Sequence, residues 1–191
     1  MPSQIAIIGA GRIGKSLGDL FAERKHQVAL YDSDRSKATV LTSTDPFFKK
    51  AEFVFLCVPS WAMRSALRQM PQLAKTVVVA TFAKGIEHTS LRSVEQILEE
   101  TLGNTHASAV IGGPLMAEEI TAGMGGVAIV ASKSPQVNAR LVEIFDGTGI
   151  IVKTSADVRG VALAGVLKNV YGILVGMADG FGWGLNKKSW L

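Results

Sequence analysis

Cysteine is nearly absent from this chain. Cys57 is its single cysteine, so no intramolecular disulfide can form, and a reducing compartment suits it. Apolar neighbours make a buried structural thiol its expected role. Runs of like charge are missing too. The net charge is only +4, and the basic clusters are no larger than the pairs Lys49-Lys50 and Lys187-Lys188, which argues against a nucleic-acid partner. No low-complexity tract and no repeat of fixed period interrupts the sequence. No charged-then-apolar leader precedes the strand-like sequence at Ile5, so a cytoplasmic location is expected. Metal ligands are scarce as well: His26, His88 and His106 fall in polar loops without a partner at ligand spacing, and His26 reads as a solvated turn residue. No metal site is expected. What remains is 48% hydrophobic sequence over 191 residues, enough for one well-buried domain and a few elements beyond it.

The apolar run Ile5 to Ile8 enters Gly9-Ala10-Gly11-Arg12-Ile13-Gly14 and then amphipathic sequence to Lys25. A strand, three spaced glycines and a helix make the pattern of a dinucleotide-binding turn. Gly9 permits the tight turn, Gly11 lets the backbone approach a pyrophosphate, and Gly14 lets the helix lie close to its strand. The phosphates would sit at the helix N-terminus, where free N–H groups and the helix dipole favour negative charge. A second strand, Val28 to Tyr31, ends at Asp32, 18 residues beyond Gly14. A carboxylate at a spacing of about 20 meets the adenine ribose hydroxyls. Asp32 therefore favours NAD, since its charge repels the 2′-phosphate of NADP, while Arg35 leaves NADP open.

Further along, a short strand is expected at residues 39–41, another over Phe53 to Val58, and a helix from Trp61 to Met70. Strand Thr76 to Ala80 leads to Lys84-Gly85-Ile86-Glu87, and a helix is expected over Ser90 to Leu102 with Leu91, Val94, Ile97 and Leu98 on its apolar face. Strand Ala107 to Ile111 precedes Gly112-Gly113-Pro114, and Glu118-Glu119 read as a helix-start pair. Strand Gly126 to Val130, a helix opened by Ser134-Pro135, and strand Ile150 to Val152 complete the alternation. The expected fold is a Rossmann-type α/β domain over residues 1–155, with a doubly wound, mainly parallel sheet and helices on both faces. Ligands of such sheets bind beyond the carboxyl ends of the strands, which puts Pro59, Ser60, Lys84 and Gly85 on the functional rim.

From Val158 to Met177 the chain is apolar except for Arg159, Lys168 and Asn169. The central Lys-Asn pair is costly in a bilayer, so a long helix packed against protein, not a membrane span, is expected. On a helix, Val161, Gly165, Lys168, Gly172, Gly176 and Asp179 share one face, so small residues surround the lysine. A structural lysine paired with Asp179 or a carbonyl is one reading. The other is a desolvated lysine that gives a proton to a substrate carbonyl, because burial lowers a lysine's pKa.

Gly9-Ala-Gly-Arg-Ile-Gly14, Val58-Pro-Ser60, Lys84-Gly-Ile-Glu87, Gly113-Pro114 with Ala117 and Glu119, and Gly160 to Val170 with its Leu-Lys168-Asn169-Val run in order along the chain. Together they resemble the NAD(P)-dependent glycerol-3-phosphate dehydrogenases. The resemblance implies reversible hydride transfer between NADH and dihydroxyacetone phosphate, a phosphorylated small molecule. It makes Lys168 the catalytic acid/base and Lys84 and Asn169 substrate contacts. The implied cofactor-binding set is Gly9, Gly11, Arg12, Ile13, Gly14, Asp32, Pro59, Ser60, Lys84 and Ala117. It also implies that residues 156–191 open an all-helical substrate domain, which in the family supplies an aspartate, a threonine and an arginine to the substrate and phosphate site; no residue here matches that arginine, and Gly184-Leu185-Asn186 replaces a usual Gly-Asp-Asn. The apolar Val158 to Met177 helix is expected to bring two copies together as a homodimer. A catalytically impaired nucleotide-binding module is the alternative.

Overall fold

A computed structural model describes residues 2–42, 44–103 and 106–191. Strands β1 (Gln4–Ile8), β2 (Gln27–Tyr31), β3 (Phe53–Leu56), β4 (Val78–Thr81), β5 (Ala107–Gly112), β6 (Gly126–Ala131) and β7 (Ile150–Ser155) form one sheet in the order β2-β1-β3-β4-β5-β6-β7. Every neighbouring pair is parallel except β5 with β6. Helices α1 (Arg12–Glu23), α2 (Ser60–Gln69), α3 (Val94–Leu102), α4 (Ala117–Thr121) and α5 (Pro135–Phe145) connect the strands, and α6 (Val158–Gly180) and α7 (Leu185–Lys188) follow. This is the expected doubly wound α/β architecture.

The unbroken apolar runs of the central strands are explained by cover on both faces. On one face Ile5, Ile7, Phe53, Phe55 and Val78 pack with Leu17 and Phe21 of α1 and Leu141, Ile144 and Phe145 of α5. The Phe21 ring lies 5.4 Å from Phe55 and 5.3 Å from Phe145. On the other face Ala6, Ile8, Val54, Leu56 and Val79 meet Met63 and Leu67 of α2 and Val94, Ile97 and Leu98 of α3.

Four local expectations are corrected. Residues 39–41 contribute only an isolated parallel bridge, Tyr31 with Thr39. The helix expected from Ser90 begins at Val94, because Ser93 and Gln96 form a capping box there. Ahead of that cap Leu91 turns through a left-handed φ of +56° and is exposed instead of facing the core. His26 is partly buried, not solvated: its Nδ1 accepts the Ser3 N–H at 3.1 Å, its ring meets the Phe21 ring at an edge, and burial lowers its pKa.

α6 departs most from the pattern. It is long and apolar enough to cross a membrane, with a mean hydropathy of 1.7 over its most apolar window, yet only 11% of that window is buried. Its first turns pack on β5 and α3, with Val158, Val161 and Ala162 against the core. Beyond them Val170, Tyr171, Ile173 and Met177 are exposed.

Candidate active site

The glycine turn is built as its spacing requires. Gly9 takes a φ of +103°, and a Cβ there would lie 2.7 Å from the Cys57 backbone. At Gly14 a Cβ would come within 1.9 Å of the Gly9 carbonyl oxygen, so only glycine lets α1 start this close to β1. Above Gly11 nothing lies within 4 Å, which leaves that face of the backbone open to a ligand. No side chain caps α1, so its first N–H groups remain available. Asp32 at the end of β2 holds the turn: its carboxylate accepts the Ala10 N–H at 2.8 Å and the Asp34 N–H at 2.9 Å. Each carboxylate oxygen keeps acceptor capacity for a ribose hydroxyl.

At the carboxyl ends of β1, β3, β4 and β5 lies a cavity of about 1100 Å³. Gly11, Arg12, Ile13, Pro59, Lys84, Ala117 and Lys168, all candidates from the sequence, line it together. They come from five separate segments of the chain. Gly9, Gly14 and Asp32 lie behind the turn as its supports. Ser60 is buried and gives its hydroxyl to the Ile86 carbonyl at 3.3 Å, so it pins the Lys84 loop and does not line the cavity. Asn169 is exposed and also outside the lining.

Two lysines face the cavity in different surroundings. Lys84 is partly buried, donates to the Gly113 carbonyl at 3.2 Å, and lies under α6 where a Cβ at Gly165 would be 3.3 Å from its Cγ. Burial, and after it the nearby Lys168 charge, push its pKa below the ordinary lysine value. Lys168 is exposed, contrary to the expectation of a desolvated ammonium, because α6 has little cover beyond its first turns. Pairing with Asp179 does not occur either; Asp179 takes Lys188 instead.

Several groups here were not legible in the sequence. Glu87 is buried and accepts the Arg64 Nε at 3.1 and 3.0 Å and the Ser90 hydroxyl, so the loop after Lys84 is anchored to α2. The Ser90 hydrogen bond, and then Arg64, hold the Glu87 carboxyl below the usual range. Glu118 of the helix-start pair lies 2.5 Å from Arg12, a contact across 106 residues of chain that spacing alone cannot reveal. Asp157 reaches the cavity wall while capping α6, its carboxylate accepting the Gly160 N–H at 2.8 Å. Cys57 lines the cavity partly buried, and its surroundings push the thiol up to about 12, which leaves it an inert protonated group. Among the described residues no group of histidines, cysteines and acids could hold a metal.

The family model described as the N-terminus of NAD-dependent glycerol-3-phosphate dehydrogenase matches residues 42–138. The chain belongs to this family. The family's C-terminal model matches residues 157–191. The glycine turn precedes the first match and is reached by the alignments with whole relatives. The NAD(P)+ glycerol-3-phosphate dehydrogenase of Gloeobacter violaceus is 36% identical over 188 residues, which is 97% of this chain and 60% of that protein. That of Ectopseudomonas mendocina is 32% identical over 98% of this chain and 61% of its own length. Among solved structures, glycerol-3-phosphate dehydrogenase from Coxiella burnetii superposes with a TM-score of 0.80 at 23% identity, over 98% of this chain and 64% of that one. A reductive aminase from Aspergillus terreus in complex with NADPH and ethyl-5-oxohexanoate shares the fold, with a TM-score of 0.70 at 16% identity over 94% of this chain and 64% of that one. The chain thus spans about three fifths of the length of the family's relatives.

Proposed function

We propose that this chain binds NAD(H), with NADP(H) a weaker alternative, and serves the reduction of dihydroxyacetone phosphate to glycerol 3-phosphate. The observation that carries the reading is the convergence of the glycine turn, Pro59, Lys84, Ala117 and Lys168 on one cavity at the switch point of the sheet, where β1 separates β2 from β3. The dinucleotide, when bound, supplies the two-electron redox chemistry. The chain's own groups bind and orient. Gly11 and the first turn of α1 offer backbone N–H groups to the pyrophosphate, and Asp32 offers a carboxylate to the adenine ribose. Lys84, fixed by Gly113 and by its pinned loop, holds the triose phosphate through its oxygens. Lys168 gives a proton to the carbonyl oxygen that becomes the alcohol.

This assignment needs cover over α6. With Lys168 exposed, water competes for its proton and its charge is not desolvated. Residues 156–191 therefore read as the opening of a helical substrate unit, and a second copy docking on the Val158 to Met177 helix would supply cover as a homodimer. The same exposure favours a second reading, a cofactor-binding module with little turnover. The single cysteine, unpaired, suits a cytoplasmic setting.

The deciding experiment is NADH oxidation by the purified chain with saturating dihydroxyacetone phosphate, run beside an NADH fluorescence titration. Turnover that Lys168→Ala abolishes, with NADH affinity unchanged, supports the dehydrogenase. Binding without turnover supports the module, and no binding overturns both.

A further inference from the structure

The mouth of the cavity holds an ion pair that works against its expected ligand. Arg12 is the first residue of α1, beside the open face of Gly11, and its guanidinium is committed to Glu118 on α4 at 2.5 Å. Both residues line the cavity. A pyrophosphate at the start of α1 would find the Arg12 cation already paired and a carboxylate beside it. We propose that Arg12–Glu118 is a gate on the dinucleotide cleft, in which Arg12 leaves Glu118 for the phosphates, so that Glu118 sets the affinity for pyrophosphate-bearing ligands. The inference rests on the dinucleotide reading of the cavity.

Three features make the exchange feasible. Both side chains are well exposed, at 86% and 59%, so the pair is solvent-screened and weak. A guanidinium matches two phosphate oxygens as well as it matches a carboxylate, so Arg12 loses no hydrogen bonds by changing partner. The packing of α1 on α4 does not depend on the pair: the Ser16 hydroxyl lies 2.8 Å from that of Thr121 and donates to the Ala117 carbonyl at 3.2 Å, and Ile120 is buried in the core. Glu118 also stays ionised at neutral pH, since its own backbone N–H and then Arg12 hold its carboxyl below the usual range.

The test is an NADH fluorescence titration of the wild-type chain, Glu118→Gln and Arg12→Gln, at low and high ionic strength, with ADP-ribose and adenosine as competitors. Glu143→Gln on α5, outside the cavity lining, is the charge control. Glu118→Gln is expected to bind NADH about three- to tenfold more tightly at low salt, with the gain shrinking as salt screens the charges. Arg12→Gln should bind more weakly. The gain should extend to ADP-ribose, which keeps the pyrophosphate, and be absent for adenosine. A pair that merely braces α1 against α4 predicts weaker binding in Glu118→Gln. Equal or weaker NADH binding by that variant, or an equal gain in Glu143→Gln, overturns the gate while the site stands. Failure of the wild-type chain to bind NADH overturns the site itself.

Discussion

The sheet and helix α6 are both strongly apolar, and the protein treats them in opposite ways. Every residue of β3, from Phe53 to Leu56, is buried. Of the 23 residues of α6 only Ala162 and Ala178 are. An apolar sequence states that a surface must be covered; it does not state by what. For the strands the cover lies in the same chain, α1 and α5 on one face and α2 and α3 on the other. For α6 it lies there only at the first turns. Lys84 and Lys168 show the same contrast at the cavity, one partly buried and fixed at Gly113, the other exposed on the bare helix.

Core deletion tests the contrast most strongly. Phe55→Ala, at a fully buried position among aromatic rings, should cost about 3–5 kcal/mol in urea denaturation. Ile173→Ala, at a site 65% exposed, should cost less than about 0.5 kcal/mol. A cost at Ile173 that grows with protein concentration would break the contrast and reveal a second copy on α6.

Next in size is the cap that starts α6. Asp157→Ala removes the acceptor for the Gly160 N–H and should cost about 1 kcal/mol, read as a lower melting temperature. A cost near zero would mean that the helix start is held by its packing on β5 alone.

The smallest effect concerns the two lysines. A lowered folded pKa means that the folded state releases the Lys84 proton before the unfolded chain does. Stability should therefore rise with pH between the depressed folded value and the ordinary lysine value, and Lys84→Met should flatten that alkaline rise. Lys168→Met should move the Lys84 titration upward but not restore it fully, because burial is the larger cause. Urea denaturation across alkaline pH would show the first change, and carbon-13 NMR of reductively methylated lysines the second. Full restoration would mean that Lys168, not burial, sets the shift.

Much of this molecule was legible residue by residue. Unbroken apolar runs and glycine punctuation marked the strands to within a few residues, and Ser134-Pro135 marked the start of α5, where the Ser134 hydroxyl accepts the Val137 N–H. The misread positions have different causes. Leu91 resembled a helical core residue, but the local cap at Ser93 starts the helix after it and leaves it exposed. His26 resembled a solvated residue, but its contacts with Ser3 and Phe21 partly bury it. The Ser60 hydroxyl meets the Ile86 carbonyl of the next loop, a contact that spacing does not reveal.

The sequence by itself determined the alternation of strands and helices, the glycines at 9 and 14, and the order of Lys84 and Lys168 along the chain, because each follows from local sterics or from a period. Only the tertiary structure decided that Arg12 meets Glu118, that Glu87 anchors the Lys84 loop, and that Lys168 stands uncovered. Those depend on surfaces brought together across tens of residues, and on a face of α6 for which the described residues provide no cover.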